Sequence, residues 1–146
     1  MLVKKATGLA LTSALIFLCG CSASHSTAVS MIKDGVVISA KLRSISTNST
    51  HQARFVYGEL TLNGENKKLK TVNLDCFILT INDVASDAIY VDSIASVLND
   101  RYPADADGKV QVPVYWSYPV DKPLEERDLS SAKLGMKPGI SSCFRY

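Results

Sequence analysis

The sequence predicts an α+β domain: a small antiparallel sheet of about five strands with one or two helices. Two observations carry this expectation. Several segments alternate apolar and polar residues with period two, the mark of a half-buried strand. One later segment switches to helical spacing, with Val91, Ile94, Ala95 and Leu98 on one face. Runs of strands interrupted by a separate helical stretch indicate an α+β layering rather than a parallel α/β sheet.

Each element is predicted in turn. After Asp34-Gly35, Val36, Ile38, Ala40 and Leu42 alternate with Val37, Ser39, Lys41 and Arg43, giving the first strand. Ser44 to Gln52 is polar and reads as an exposed loop. Arg54 to Leu62 is a second strand, and Asn63-Gly64 after it is a hairpin signal, because both residues tolerate positive φ. Leu69 to Ile81 then reads as the return strand, apolar on both faces in its second half and therefore central. A helix is expected over about 86–99, with Asp83, Ser86 and Asp87 as capping groups, although Ala88 to Val91 could also extend as a strand. Tyr102-Pro103 ends it, and Asp105-Ala106-Asp107-Gly108 is a turn. Lys109 to Tyr118 is the clearest strand, with Val110, Val112, Val114, Trp116 and Tyr118 on one face. Pro113 lacks a donor, which predicts an edge position or a bulge there. Pro119 to Lys137 reads as a charged loop with a short helix near Leu124 to Leu134, and Ile140 to Tyr146 as a last strand.

The N-terminus has the three parts of a secretory signal: Lys4 and Lys5, an apolar run from Ala6 to Leu18, and the small residue Gly20 before a cleavage point. The apolar run is short for a membrane span, which needs about 20 residues. Leu18-Cys19-Gly20-Cys21 closes this segment and resembles the lipobox of bacterial lipoproteins, with Cys19 at a position that more often carries Ala, Ser, Thr or Val. The resemblance covers only the first 21 or so residues. It implies cleavage after Gly20, a diacylglyceryl thioether on Cys21 and a further acyl chain, commonly palmitate, on the new amino terminus. Each buried CH₂ contributes about 0.8 kcal/mol, so several chains anchor permanently. In lipoproteins of Gram-negative bacteria the next residue influences sorting, and Ser22 favours the outer over the inner membrane. The expected organisation is therefore a signal peptide at 1–20, a lipidated flexible tether at 21–31 and a single domain at 32–146.

On this reading the four cysteines sort into one discarded (Cys19), one acylated (Cys21) and a pair, Cys76 and Cys143, in an exported chain. An oxidising compartment favours a disulfide between that pair; two buried thiols are the alternative. The bond would close a loop of 67 residues, worth about 4 kcal/mol in the chain-entropy account. Loss of Lys4 and Lys5 takes the formal net charge from +2 to 0. A neutral mature chain argues against general nucleic-acid binding, which needs clustered positive charge. The segment from Asp83 to Asp128 holds ten acids and four bases, and residues 33–82 hold seven bases and four acids. Solvated loops explain this asymmetry, and orientation on a partner or membrane is the sharper alternative.

Chemistry is sparse. His25 falls in the tether and His51 in a polar loop, and neither belongs to a recognisable triad pattern. No GxSxG, HExxH, P-loop or dinucleotide-binding fingerprint is present. Asp105 to Gly108 resembles the start of a calcium loop, but no Glu follows at the required offset. Glu125-Glu126 is a carboxylate pair in a charged, solvated segment. No catalytic residue, metal or cofactor is therefore expected. The preferred reading turns Val110, Val112, Val114 and Trp116 into the core; the alternative is a binding surface for protein or glycan built on the aromatic set Tyr102, Tyr115, Trp116 and Tyr118. The expected function is that of a membrane-anchored, non-enzymatic envelope lipoprotein acting by protein contact in assembly, secretion or at the surface. A periplasmic binding or inhibitor module similar to lysozyme inhibitors is the alternative, and an enzyme acting on cell wall or glycans comes third.

Overall fold

The period-two segments do form strands, and they pair with one another more extensively than the sequence predicts. The structure is a computed structural model and describes residues 26–50, 52–92 and 101–146. In chain order the strands are β1 (Thr27–Lys33), β2 (Val36–Asn48), β3 (Ala53–Gly64), β4 (Thr71–Val72), β5 (Phe77–Ile81), β6 (Val84–Ala85), β7 (Ala88–Val91), β8 (Tyr102–Pro103), β9 (Lys109–Pro119), β10 (Lys133–Met136) and β11 (Phe144–Arg145). Two short 3₁₀ turns, Leu74–Cys76 and Glu126–Ser131, are the helical elements among the described residues. A five-stranded antiparallel sheet has the order β1-β2-β3-β9-β7. Two three-stranded sheets, β10-β5-β6 and β11-β4-β8, complete the fold.

The expected α+β class is therefore corrected. Strands hold 57% of the described residues and helical turns 8%, with no helix of seven or more residues, so the architecture is all-β. The decisive segment is 86–99. Ala88–Val91 pairs with β9, placing Ile89 beside Trp116 and Tyr90 beside Tyr115. Ile89 and Val91 are buried while Tyr90 is exposed, the period of a strand. A neighbouring strand with free hydrogen-bonding groups overrode the local helical spacing. The remainder of that expected helix, residues 93–99, lies outside the described residues.

Four further boundaries move for identifiable reasons. Thr27–Lys33, read as tether up to residue 31, is β1, joined to β2 by a two-residue turn in which Asp34 and Gly35 have φ of 52° and 75°. Such turns match the twist of the flanking strands. The polar stretch from Ser44 is strand in its first half and turn only beyond Asn48: β2 runs to Asn48 and β3 starts at Ala53. A bulge between Leu42 and Ser44 resets the register, so that Ile45 opposes Val56 and Ser44 and Ser46 oppose Tyr57 and Phe55. The expected return strand 69–81 is broken into β4, a 3₁₀ turn and β5, with the Asn73 side chain accepting from the Asp75 N–H at 3.0 Å. Asn63-Gly64 accordingly starts no hairpin with it; β3 pairs with β2 and β9. The expected last strand shrinks to Phe144–Arg145, and the short helix expected near 124–134 is the 3₁₀ turn followed by β10.

Pro113 lies on an interior strand, not at the edge. Its position is tolerated because the β7–β9 ladder stops there. Val91 and Val114 are the last β7–β9 pair, and the Asp92 N–H donates to the Pro113 carbonyl at 2.9 Å. The reciprocal bond, which proline cannot make, would belong to the pair beyond the end of β7.

One continuous core lies between the large sheet and the smaller elements. β2 supplies Val36, Ile38, Ala40 and Leu42; β9 supplies Val110, Val112, Val114, Trp116 and Tyr118. Leu74, Phe77, Leu79, Ile81 and Leu129 belong to the same cluster from the other layer. Cys76 and Cys143 are disulfide-bonded, with Cα atoms 6.0 Å apart. Around that bond the Asn73 N–H donates to the Cys143 carbonyl at 2.8 Å and the Lys137 N–H to the Cys76 carbonyl at 2.7 Å. The turn at Asp105 forms as expected, with Asp105 Oδ1 accepting from the N–H groups of Asp107 and Lys109, both at 2.9 Å. Gly108 is required there: its φ is +76°, and a Cβ would meet Lys68 Cα at 2.7 Å.

Tyr118 ties the two layers together. Its ring is buried and its hydroxyl donates to the Leu79 carbonyl of β5. Burial first, then repulsion from Asp87, pushes its pKa far above the ordinary value of 10.0. The folded state therefore holds this proton more tightly than the unfolded chain. The stabilisation is complete below pH 10 and is lost as the pH rises beyond it. Tyr118→Phe is expected to cost about 1 kcal/mol at neutral pH by removing this bond between the layers, while the Leu79 carbonyl keeps the Ser86 N–H at 3.0 Å. It should also flatten the alkaline fall in stability, as read by urea unfolding from pH 8 to 11.

Candidate binding face

Strand alternation sends every second residue of the five-stranded sheet away from the core. On β3 these are Phe55, Tyr57 and Glu59; on β9, Gln111, Pro113 and Tyr115; on β7, Tyr90. The register sets Tyr57 opposite Tyr115 and Tyr115 opposite Tyr90, a row of rings across three neighbouring strands. Tyr90 stacks on Tyr115 with ring centres 5.1 Å apart and planes at 22°. Tyr57 lies 5.4 Å from Tyr115, and Phe55 meets Tyr115 edge-on at 5.2 Å. Each such pair is worth about 0.5–1.5 kcal/mol beyond burial, so the rings hold one another in place.

Ser44 and Ser46 of β2 stand beside Tyr57 and Phe55 and leave the row uncovered on that side. Phe55, Tyr57 and Tyr115 are half-buried among themselves, and Tyr90 is 47% exposed. Desolvation, followed by the nearby Tyr57, Tyr90 and Asp92, raises the pKa of Tyr115. The Tyr115 phenol is thus a neutral donor near neutral pH. A polar rim adjoins them: Glu59 accepts from Gln111 Nε2 at 3.0 Å and pairs with Arg43 at 3.5 Å. An aromatic patch with hydroxyl donors and a charged margin has the composition of a protein-contact surface.

The structure divides the aromatic set named from sequence. Tyr115 is on this face. Trp116 and Tyr118 are on the opposite one, at 0% and 1% exposure, inside the core. Tyr102 belongs to β8, paired with Val72 of β4, and packs half-buried against the core from the smaller layer. Phe55, Tyr57 and Tyr90 are the members that sequence reasoning missed. The alternation within Arg54 to Leu62 already places Phe55 and Tyr57 on one face, whereas Tyr90 was hidden by the helical spacing around it. Cys21, His25 and His51 lie outside the described residues.

Elsewhere the polar groups make structural contacts. Glu125 pairs with Arg127 at 2.8 Å, and the Asp128 carboxylate accepts from the Glu125 N–H at 2.8 Å, closing the start of the second 3₁₀ turn. Among the described residues no cluster of three or more His, Cys, Asp or Glu is placed to hold a metal ion. An open basin of about 630 Å³ lies at the far end of β1, lined in part by Lys33, Lys67, Lys137 and Tyr146. The Lys67 ammonium sits over the Tyr146 ring at 5.1 Å. No family model matches this chain, and no curated protein or solved structure matches it either.

Proposed function

We propose that this chain is a membrane-anchored envelope lipoprotein, outer-membrane sorted in a Gram-negative host, that acts without catalysis by holding a protein partner on the open face of its large sheet. The observation that carries this reading is the row Tyr57–Tyr115–Tyr90 with Phe55, four aromatic side chains on the solvent side of the sheet. Tyrosines supply large contact area at low entropy cost and concentrate binding energy at interfaces. The lipobox resemblance at Leu18 to Cys21 supports the anchor. Strand β1 starts at Thr27, so only five residues, Ser22 to Ser26, would separate the lipid from the folded domain. The partner would therefore be met close to the membrane, within about 17 Å of extended tether.

Two measurements test the reading. Labelled palmitate should enter the wild type and not Cys21→Ala; equal labelling removes the anchor. For the face, a photo-crosslinking residue in place of Gln111, on the rim, should give one discrete protein adduct in intact cells. Tyr57→Ala and Tyr90→Ala should each weaken that complex by about 2 kcal/mol, roughly thirtyfold, with little change in melting temperature for Tyr90→Ala. Adduct yields indifferent to both substitutions would remove this face as the binding surface.

A further inference from the structure

The two edges of the large sheet differ. β7 offers four residues and is bracketed by Asp87 and Asp92, charges that discourage strand addition. β1 offers seven residues, Thr-Ala-Val-Ser-Met-Ile-Lys, with no proline, no bulge and no charge before Lys33. It pairs with β2 along its whole length, and among the described residues no strand pairs with its other side. Alternate N–H and C=O groups on that side are a template for another strand.

The side chains around this edge are also incompletely covered. Ile32 on the open face is 70% exposed. Val29 and Met31 of β1, and Leu134 and Met136 of β10, are only partly buried on the core side. The edge is thus an apolar rim as well as a row of hydrogen-bonding groups.

We infer that β1 pairs with β1 of a second copy of this chain, antiparallel about Ser30, to form a two-fold dimer with one continuous ten-stranded sheet. The segment is self-complementary in that register. Ser30 faces its own copy, Val29 faces Met31, and Ala28 faces Ile32, covering the exposed isoleucine. Lys33 faces the uncharged Thr27, so the pairing sets no like charges opposite each other. The interface is isologous, as closed dimers require. The two-fold axis is normal to the sheet, so both tethers leave the seam at equal height and can reach one membrane. The pairing itself does not depend on the anchor or on the aromatic face.

The test uses the full chain in membranes of the expressing cells. Opposed Cα atoms across an antiparallel seam lie about 4.5–5.5 Å apart, within disulfide reach. Ser30→Cys should give a covalent dimer under mild oxidation. Ser46→Cys, exposed on the interior strand β2, should remain monomeric. The detergent-extracted wild type should sediment with the protein mass of two copies. Ser30→Lys, which sets two ammoniums against each other at an exposed position, should weaken the dimer at least about tenfold. A wild type that sediments as one copy or as a larger assembly overturns the proposal. So does a Ser30→Lys variant that remains dimeric. If Ser30→Cys accumulates poorly, the wild-type mass decides alone.

Discussion

Replacing Trp116 by alanine is expected to cost about 3–5 kcal/mol of folding stability. The indole is fully buried, with Val56 of β3 and Ile89 of β7 as its register neighbours. Its Nε1 meets no acceptor among the described residues, so its contribution is packing rather than hydrogen bonding. Removing it opens a cavity in the middle of the large sheet's inner face, where interior strands cannot collapse to fill it. Urea unfolding of Trp116→Ala, followed by far-ultraviolet circular dichroism because the tryptophan is gone, measures the loss. A cost under about 1.5 kcal/mol would mean that the site repacks, and would contradict the burial. Tyr115→Ala, one residue earlier, is the internal contrast. Its ring leaves the opposite face, so it should lose about 1 kcal/mol of stability through its ring contacts and most of its effect should fall on partner binding.

Breaking the disulfide is the second large effect. Cys76→Ser with Cys143→Ser should lower stability by about 4 kcal/mol, from the entropy regained by a 67-residue loop in the unfolded chain. With a urea m-value of about 2 kcal/mol/M the midpoint falls by roughly 2 M. The folded consequences are local. The bond joins the first 3₁₀ turn to the segment before β11, and β11 itself contributes only two residue pairs with β4. Protease digestion of the double variant should therefore begin near the C-terminus before the large sheet opens. A loss under about 1 kcal/mol would show that the backbone bonds at Asn73 and Lys137 hold the tail without the covalent link.

What was legible in the sequence follows from how local each signal is. The strand over Lys109 to Tyr118 was readable because its alternation spans the whole element and needs no partner to be recognised. The Asp105 turn was readable because aspartate and glycine satisfy it within a few residues. The helix expected over 86–99 was wrong at Ala88–Val91 because four residues carry too little periodicity to reveal their state; β9 decided it. The loop expected over 44–52 was wrong over 44–48, because polar residues are unremarkable in a strand whose one face meets water. Pro113 misled because the rule against interior proline concerns the ladder, and that ladder ends beside it.

The candidate site shows the same division. Tyr115 was named from sequence, and alternation correctly set it apart from Trp116 and Tyr118. The core face of β9 was legible too, since Val110, Val112 and Val114 share it with Trp116 while Gln111 and Pro113 share the other with Tyr115. The neighbours of Tyr115 could not follow from β9, because Tyr57 and Tyr90 are separated from it by 58 and 25 residues along the chain. By itself the sequence determined the strands over 36–42, 54–62 and 109–118 with their alternation, the Asp105 turn and the cysteine pair, all of which depend on residue type and spacing. The tertiary structure alone decided the strand order, the all-β class, the interior place of β9 and the assembly of four aromatic rings into one surface. Those depend on pairing between distant segments, where hydrogen bonds and side-chain packing across strands outweigh local preference.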